Sequence, residues 1–176
     1  MKETNSLTKT TMPLTTKRNK ENHKRFIKHL DESKPSIGVA KKYLESLGFK
    51  VKEKETKKTP SYEERMKYLD DGDLEYYKDG EWRRVEVKHS SRNFTSAENW
   101  PFKNMFVCAI HSWDKVDPKP DVFLILSKDM NNVAEITGDT NDHWFLTSFT
   151  DKRYVNYRQT AYACPLDLIK FSTVDI

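Results

Sequence analysis

The residues best able to do chemistry lie between positions 71 and 92. Asp73 is separated by 12 residues from the triplet Glu86-Val87-Lys88. The run Trp82 to His89 alternates in character and reads as a β-strand, in which side chains point alternately to opposite faces. Trp82, Arg84, Glu86 and Lys88 then share one face, while Arg83, Val85 and Val87 share the other. Before it, Asp73-Leu74-Glu75-Tyr76-Tyr77 reads as a partner strand. Lys78-Asp79-Gly80-Glu81 connects the two, with Asp-Gly as the signal of a tight hairpin turn. Neighbouring strands lie roughly 5 Å apart, so the hairpin brings Asp73 toward Glu86. Two carboxylates and a lysine in one small space suit a hard divalent cation, which takes oxygen ligands and often only one or two carboxylates. Such an ion can activate water and steady the charge on a phosphodiester, and a neighbouring lysine can orient the water. Asp71 is an alternative to Asp73 as the metal ligand.

Several elements must position this hairpin. Ile37, Ala40, Leu44 and Leu47 fall on one helical stripe, Ser36 is placed to cap that helix and Gly48 to end it. A strand follows over 49–53, then a charged loop from 54 to 67. Residues 19–31 predict a shorter helix with Phe26, Ile27 and Leu30 as its apolar contacts. Beyond the hairpin, residues 90–102 are polar and turn-rich. Met105–Ile110 and Val122–Leu126 are short apolar runs of the kind found in buried strands. Val133–Ile136 and Trp144–Phe149 are further strand candidates, and Pro165–Ile169 suggests a last helical turn or strand. Helix, strand, hairpin and buried strands together predict an α/β domain with a central mixed sheet.

Composition narrows the function classes. The chain has 176 residues, 36% hydrophobic and 12% aromatic, enough for one folded domain over 19–176 behind a flexible basic tail at 1–18. Its net charge is +4, unevenly spread. Residues 1–58 hold 16 of the 31 Lys+Arg and 7 of the 27 Asp+Glu, so the first third is basic and the remainder acidic. That asymmetry suits a polyanion partner as well as a solvated tail. No apolar run is long enough to span a bilayer and no apolar leader opens the chain, which points to a cytoplasmic protein without a membrane partner. Five glycines and no glycine-rich phosphate loop argue against an NTPase. No Gly-x-Ser-x-Gly turn supports a serine hydrolase. The two cysteines, Cys108 and Cys164, sit in apolar stretches and read as buried free thiols rather than a zinc site.

Asp73 followed by Glu86-Val87-Lys88, after a helix and a strand, resembles the PD-(D/E)XK nuclease signature. The resemblance covers about residues 36–126. The segment Phe106–Asp114 followed by Pro120-Asp121-Val122-Phe123 is similar to uncharacterised bacterial and phage-type members of that superfamily. Gly72 stands where the signature has proline, and residues 90–102 leave little room for a helix after the lysine strand. The resemblance implies a restriction-endonuclease-like core, a central mixed sheet flanked by helices, and a requirement for Mg²⁺ or Mn²⁺. It implies that Asp73 and Glu86 hold the metal with the Val87 carbonyl, and that Lys88 serves the attacking water. Some members carry an acid on the first helix; Glu45 is the candidate, though it points away from the apolar stripe.

The expected function is therefore hydrolysis of phosphodiester bonds in nucleic acid, most plainly DNA, by an endonuclease that can act as a homodimer. Arg84, His89, Ser90, Ser91 and Arg92 are candidate nucleic-acid contacts, since guanidinium, imidazole and hydroxyl groups often meet phosphates; a polar loop explains the last three equally well. Phe94 and Trp100 can stack on splayed bases or pack in the core or its rim. His111, Trp113 and Asp114 read as a packed aromatic turn. Lys17, Arg18, Lys20, Lys24, Arg25 and Lys28 form a basic run that can track phosphates or simply be solvated. The alternative reading is a catalytically inactive nucleic-acid- or protein-binding module of the same fold, or a subunit of a larger restriction or repair complex.

Overall fold

The computed structural model describes residues 20–25, 28, 32, 34–54, 73–151 and 157–176. The expected tail at 1–18, Phe26, Ile27, Leu30, the 55–67 loop, Asp71 and Gly72 lie outside them. Residues 20–25 are helical, as expected.

Helix α1 (Lys34–Ser46) opens with Pro35 in its first turn, where a missing N–H costs nothing. Ser36 is therefore inside the helix and buried rather than its cap. Ile37, Ala40, Tyr43 and Leu44 form the buried stripe. Leu47 is half exposed, because the helix has ended and the turn at Gly48 (φ +93°) carries it off the stripe. Strand β1 (Val51–Glu53) follows, then β2 (Leu74–Lys78) and β3 (Glu81–His89). Asp79 and Gly80 both have positive φ (52° and 81°), the conformation that a two-residue hairpin turn of right-handed twist requires.

The central sheet has the order β1-β2-β3-β5-β6-β9, with β5 at Val122–Leu126, β6 at Asn132–Thr137 and β9 at Lys170–Thr173. All neighbours are antiparallel except β3 and β5, which run parallel. The sheet is mixed, as the sequence predicts. Parallel neighbours need a crossover. Here it is made by β4 (Asn104–Ala109) and a single helical turn, α2 (His111–Asp114). Strand β4 pairs with β8 (Tyr157–Pro165), which pairs in turn with β7 (Phe145–Asp151), forming a separate three-stranded sheet.

Three layers result. On one face of the central sheet, α1 packs on Leu74, Tyr76, Val85, Val122, Leu124, Leu126 and Val133. On the other, Phe123, Ile125, Ala134 and Ile136 meet Met105, Val107, Cys108, Trp144 and Cys164. Alternation along β5, Val-Phe-Leu-Ile-Leu, feeds both cores, which is why this central strand is apolar throughout. The resemblance implies helices flanking the sheet. Among the described residues a helix covers one face and the second sheet covers the other, because the crossover segment is a β-forming apolar run rather than a helical one. Gly138 is set by close approach: a Cβ there would collide with the Pro120 carbonyl oxygen.

Candidate active site

The hairpin register pairs Leu74 with Val85 and Glu75 with Arg84. Continued by one residue, it sets Asp73 opposite Glu86, on the face turned away from α1. Asp73 sits just before β2, and its Oδ2 accepts the Val87 N–H at 2.8 Å. Its own carbonyl accepts the Lys54 N–H at 3.0 Å, tying it to the end of β1. The aspartate thus completes the β2 edge of β3 with a side chain where the strand itself has stopped.

Backbone groups of β3 alternate sides. The Arg84 carbonyl accepts from Asp121 and the Ser90 N–H donates to Leu126, both toward β5. Val87 points the other way, toward Asp73. A strand residue's N–H and C=O point to the same side, so the Val87 carbonyl faces the side that holds the Asp73 carboxylate. Asp73, Glu86 and the Val87 carbonyl are therefore gathered at one corner of the hairpin. Among the described residues no three His, Cys, Asp or Glu side chains form a metal-binding group. Two carboxylates and a carbonyl fit Mg²⁺ or Mn²⁺, which leave the remaining positions to water and phosphate.

Glu86 is half-buried and its Oε1 accepts from Arg84 Nε at 2.7 Å and Nη2 at 2.5 Å. Arg84, placed by the sequence among the nucleic-acid contacts, is only 7% exposed and turned onto Glu86 along the same strand face. It positions a carboxylate rather than reaching outward. The signal for this pairing is the two-residue spacing on one face. Lys88 follows two residues on, half-buried, with its Nζ 5.5 Å from the Phe106 ring centre. Beneath it lies Cys108, whose thiol burial pushes up to about 11; the Lys88 charge acts against that shift and the Glu86 charge with it.

Lys88 opens into a cleft of about 500 Å³ lined by Val87, His89, Ser90 and Ser91 of β3 and its exit, Trp100, Met105, Phe106 and Ile125, and Glu32 and Ser36 near the start of α1. Asp73 and Glu86 do not line it; Glu86 stands two residues before Lys88 on β3, with Asp73 across the hairpin from it. His89 Nε2 donates to the Lys128 carbonyl at 2.9 Å. Ser90 Oγ accepts the Arg92 N–H at 3.0 Å, and the Lys128 N–H donates to the Arg92 carbonyl at 3.0 Å. These bonds pin the loop after β3 to the β5–β6 turn. Ser91 and Arg92 are exposed, and the Arg92 guanidinium lies 5.3 Å over the Phe102 ring.

Phe94 is a core residue, 1% exposed, whereas Trp100 is on the cleft wall. Trp113 packs edge-on to Trp144 at 4.8 Å, the aromatic turn expected there. Asp114 accepts the Tyr162 hydroxyl at 2.7 Å, which occupies it structurally. Glu45 is exposed. In the basic run, Arg25 pairs with Glu21 at 2.9 Å and Lys28 with Glu32 at 3.8 Å; Lys17 and Arg18 lie outside the described residues. No helix among the described residues is long and apolar enough to cross a membrane. Comparison of the chain with protein-family models, with curated proteins and with solved structures finds no match.

Proposed function

We propose that the chain is a divalent-metal-dependent nuclease of the PD-(D/E)XK kind, with a restriction-endonuclease-like core, cleaving phosphodiester bonds in DNA. One observation carries the reading. The Asp73 carboxylate is fixed to the Val87 N–H directly opposite Glu86, on the same strand face as Lys88. Helix α1, the antiparallel β1-β2-β3 unit and the parallel β5 that frame this corner are consistent with such a core.

Asp73, Glu86 and the Val87 carbonyl would hold Mg²⁺ or Mn²⁺, which supplies Lewis-acid assistance and charge neutralisation for the scissile phosphate. The chain's own groups do the remainder. Arg84 holds Glu86 in place. The Val87 N–H fixes the rotamer of Asp73. Lys88, at the mouth of the cleft, offsets phosphate charge and orients water toward phosphorus. A non-catalytic nucleic-acid-binding module is the rival reading, favoured by the contact of Arg84 with Glu86, which neutralises one carboxylate from within the protein.

Incubation of supercoiled plasmid, linear duplex and single-stranded DNA with Mg²⁺, Mn²⁺ or EDTA separates the two. Metal-dependent cutting is expected from the wild type and is lost in Glu86→Gln and Lys88→Ala, with Lys88→Ala keeping its cooperative melt. Absence of cutting in every metal by a folded protein that still shifts DNA in a gel refutes the nuclease and leaves the binding module.

A further inference from the structure

The cleft beside Lys88 has features that phosphate hydrolysis alone does not call for. Its wall carries Trp100, whose Nε1–H is held by the Asn104 carbonyl at 2.9 Å and whose ring meets Phe94 edge-on at 5.7 Å. That indole is fixed before any ligand arrives, so stacking on it costs little ordering. Outside it stands Phe102, 52% exposed, edge-on to Trp100 at 5.8 Å and overlaid by Arg92. A phenylalanine so exposed contributes little to the core and is poised for a planar partner.

Charge follows the same direction. Lys88 lies in the cleft, and Arg92 is exposed over Phe102 on its aromatic side. The one acid among its described lining residues, Glu32, has Lys28 3.8 Å away. A volume of about 500 Å³ is within the roughly 300–1,000 Å³ range of small-ligand pockets. Aromatic faces interleaved with cations are the surface on which unpaired bases stack while the backbone is neutralised. A duplex presents base edges in its grooves and keeps the faces inside the stack.

We infer that this cleft receives unpaired bases of a single-stranded nucleic acid, one stacked on the Trp100 ring and its neighbour on the Phe102 ring, which stands at 70° to it just outside, with Arg92 and Lys88 meeting the flanking phosphates. This deepens the nuclease reading and rests on it for what then happens to the strand: the substrate is a single strand, a flap or a frayed end. Binding itself needs no metal. Every base has a π-face, so the selection is for unpaired structure rather than sequence.

The test is fluorescence anisotropy in EDTA with labelled oligothymidine, the duplex of equal length and an abasic strand of equal charge, with poly-glutamate as competitor. The wild type is expected to bind oligothymidine at least 10-fold more tightly than either control. Loss of one stacked base corresponds to about 5- to 160-fold in affinity. Trp100→Leu should show that loss for oligothymidine and leave duplex binding unchanged. Phe102→Ala should weaken binding in the same way, and because Phe102 is exposed its melt should match wild type. The inference is overturned if the abasic strand or duplex binds as well as oligothymidine, if poly-glutamate competes equally, or if folded Phe102→Ala binds as wild type does. Phe102-dependent binding by a protein that cuts nothing refutes the nuclease alone. Cutting of duplex plasmid without preference for single strands refutes the present inference alone.

Discussion

Removing Arg84 tests whether Glu86 is a metal carboxylate held in reserve by a protein cation. The two side chains are 7% and 16% exposed, and both short contacts fall on one oxygen, Oε1. Breaking a buried ion pair by deleting one partner costs about 3–5 kcal/mol, because the other charge is left uncompensated. Glu86 keeps some solvent, so Arg84→Met should cost the protein about 2–3 kcal/mol, below that range. At about 2–4 °C per kcal/mol for a chain of this size, the melt should fall by roughly 5–10 °C. Glu86→Gln in the Arg84→Met background removes the stranded charge and should restore at least half of the loss, a coupling that a double-mutant cycle reads directly. Metal adds the decisive arm. A cation that binds only the folded state at 100 times its Kd stabilises by about 2.7 kcal/mol. With Arg84 gone, Mg²⁺ no longer competes with a guanidinium for Glu86, so thermal melts in millimolar Mg²⁺ against EDTA should shift more in Arg84→Met than in wild type. They should not shift in Arg84→Met/Glu86→Gln. Equal Mg²⁺ shifts in all three proteins would refute the assignment of Glu86 to the metal. Additive losses in the cycle would refute the electrostatic role of Arg84.

Two further outcomes test the frame around the site. Gly80 has φ +81° and nothing within 4 Å of where a Cβ would stand, so Gly80→Ala meets no clash and pays only the left-handed backbone cost. Denaturant titration should show a loss of about 1–2 kcal/mol; an unchanged midpoint would mean that the turn tolerates another conformation. Cys108 is buried as the neutral thiol, with its folded pKa at about 11 against an ordinary 9.0. A raised thiol pKa leaves stability intact below pH 9 and removes it as pH rises from 9 toward 11, since only the unfolded chain ionises there. By linkage the loss reaches on the order of 1 kcal/mol at pH 10. Urea titrations from pH 8 to 10.5 should show the slope in wild type and a shallower one in Cys108→Ala; identical slopes would place the ionisation elsewhere.

Local chemistry makes some of this fold legible and non-local pairing hides the rest. The hairpin is readable because Asp79-Gly80 dictates its own turn, and because the register follows from a two-residue loop. Strand β5 is readable because a run buried on both faces must be apolar throughout. Yet Met105–Ile110 carries the same signature and belongs to a different sheet. Which strand sits beside β3 depends on contacts far apart in sequence, and no period reports them. Strand β8 gives almost no signal because its buried members are Ala161, Ala163 and Cys164, small residues that pack closely against β4 and β7 but offer little hydrophobic contrast. Strand β9, Lys-Phe-Ser-Thr at the sheet edge, is polar enough to read as a tail.

The candidate site divides along the same line. Asp73, Glu86 and Lys88 are legible because pleat and hairpin place them without reference to the rest of the molecule. Arg84 obeys the same alternation, but its role turns on burial, and it stands beside Trp113, Lys119 and Pro120, which come from the distant crossover segment. The second sheet covers β5 and β6 and stops at β3. On the common face, Trp82 and Tyr77 at the hairpin end remain 38% and 41% exposed, while Lys88 at the other end lies near Phe106 of β4. Strand β3 therefore runs along the boundary between covered and open sheet. Glu86 there is buried enough for Arg84 to matter and, on the nuclease reading proposed above, open enough for an ion and a phosphate to reach it. A fully covered strand would exclude the substrate, and a fully open one would leave Glu86 to bulk water, where a neighbouring cation counts for little. The layer that sequence periodicity cannot place, β4 with its partners, is thus what gives the legible residues a setting in which their chemistry can work.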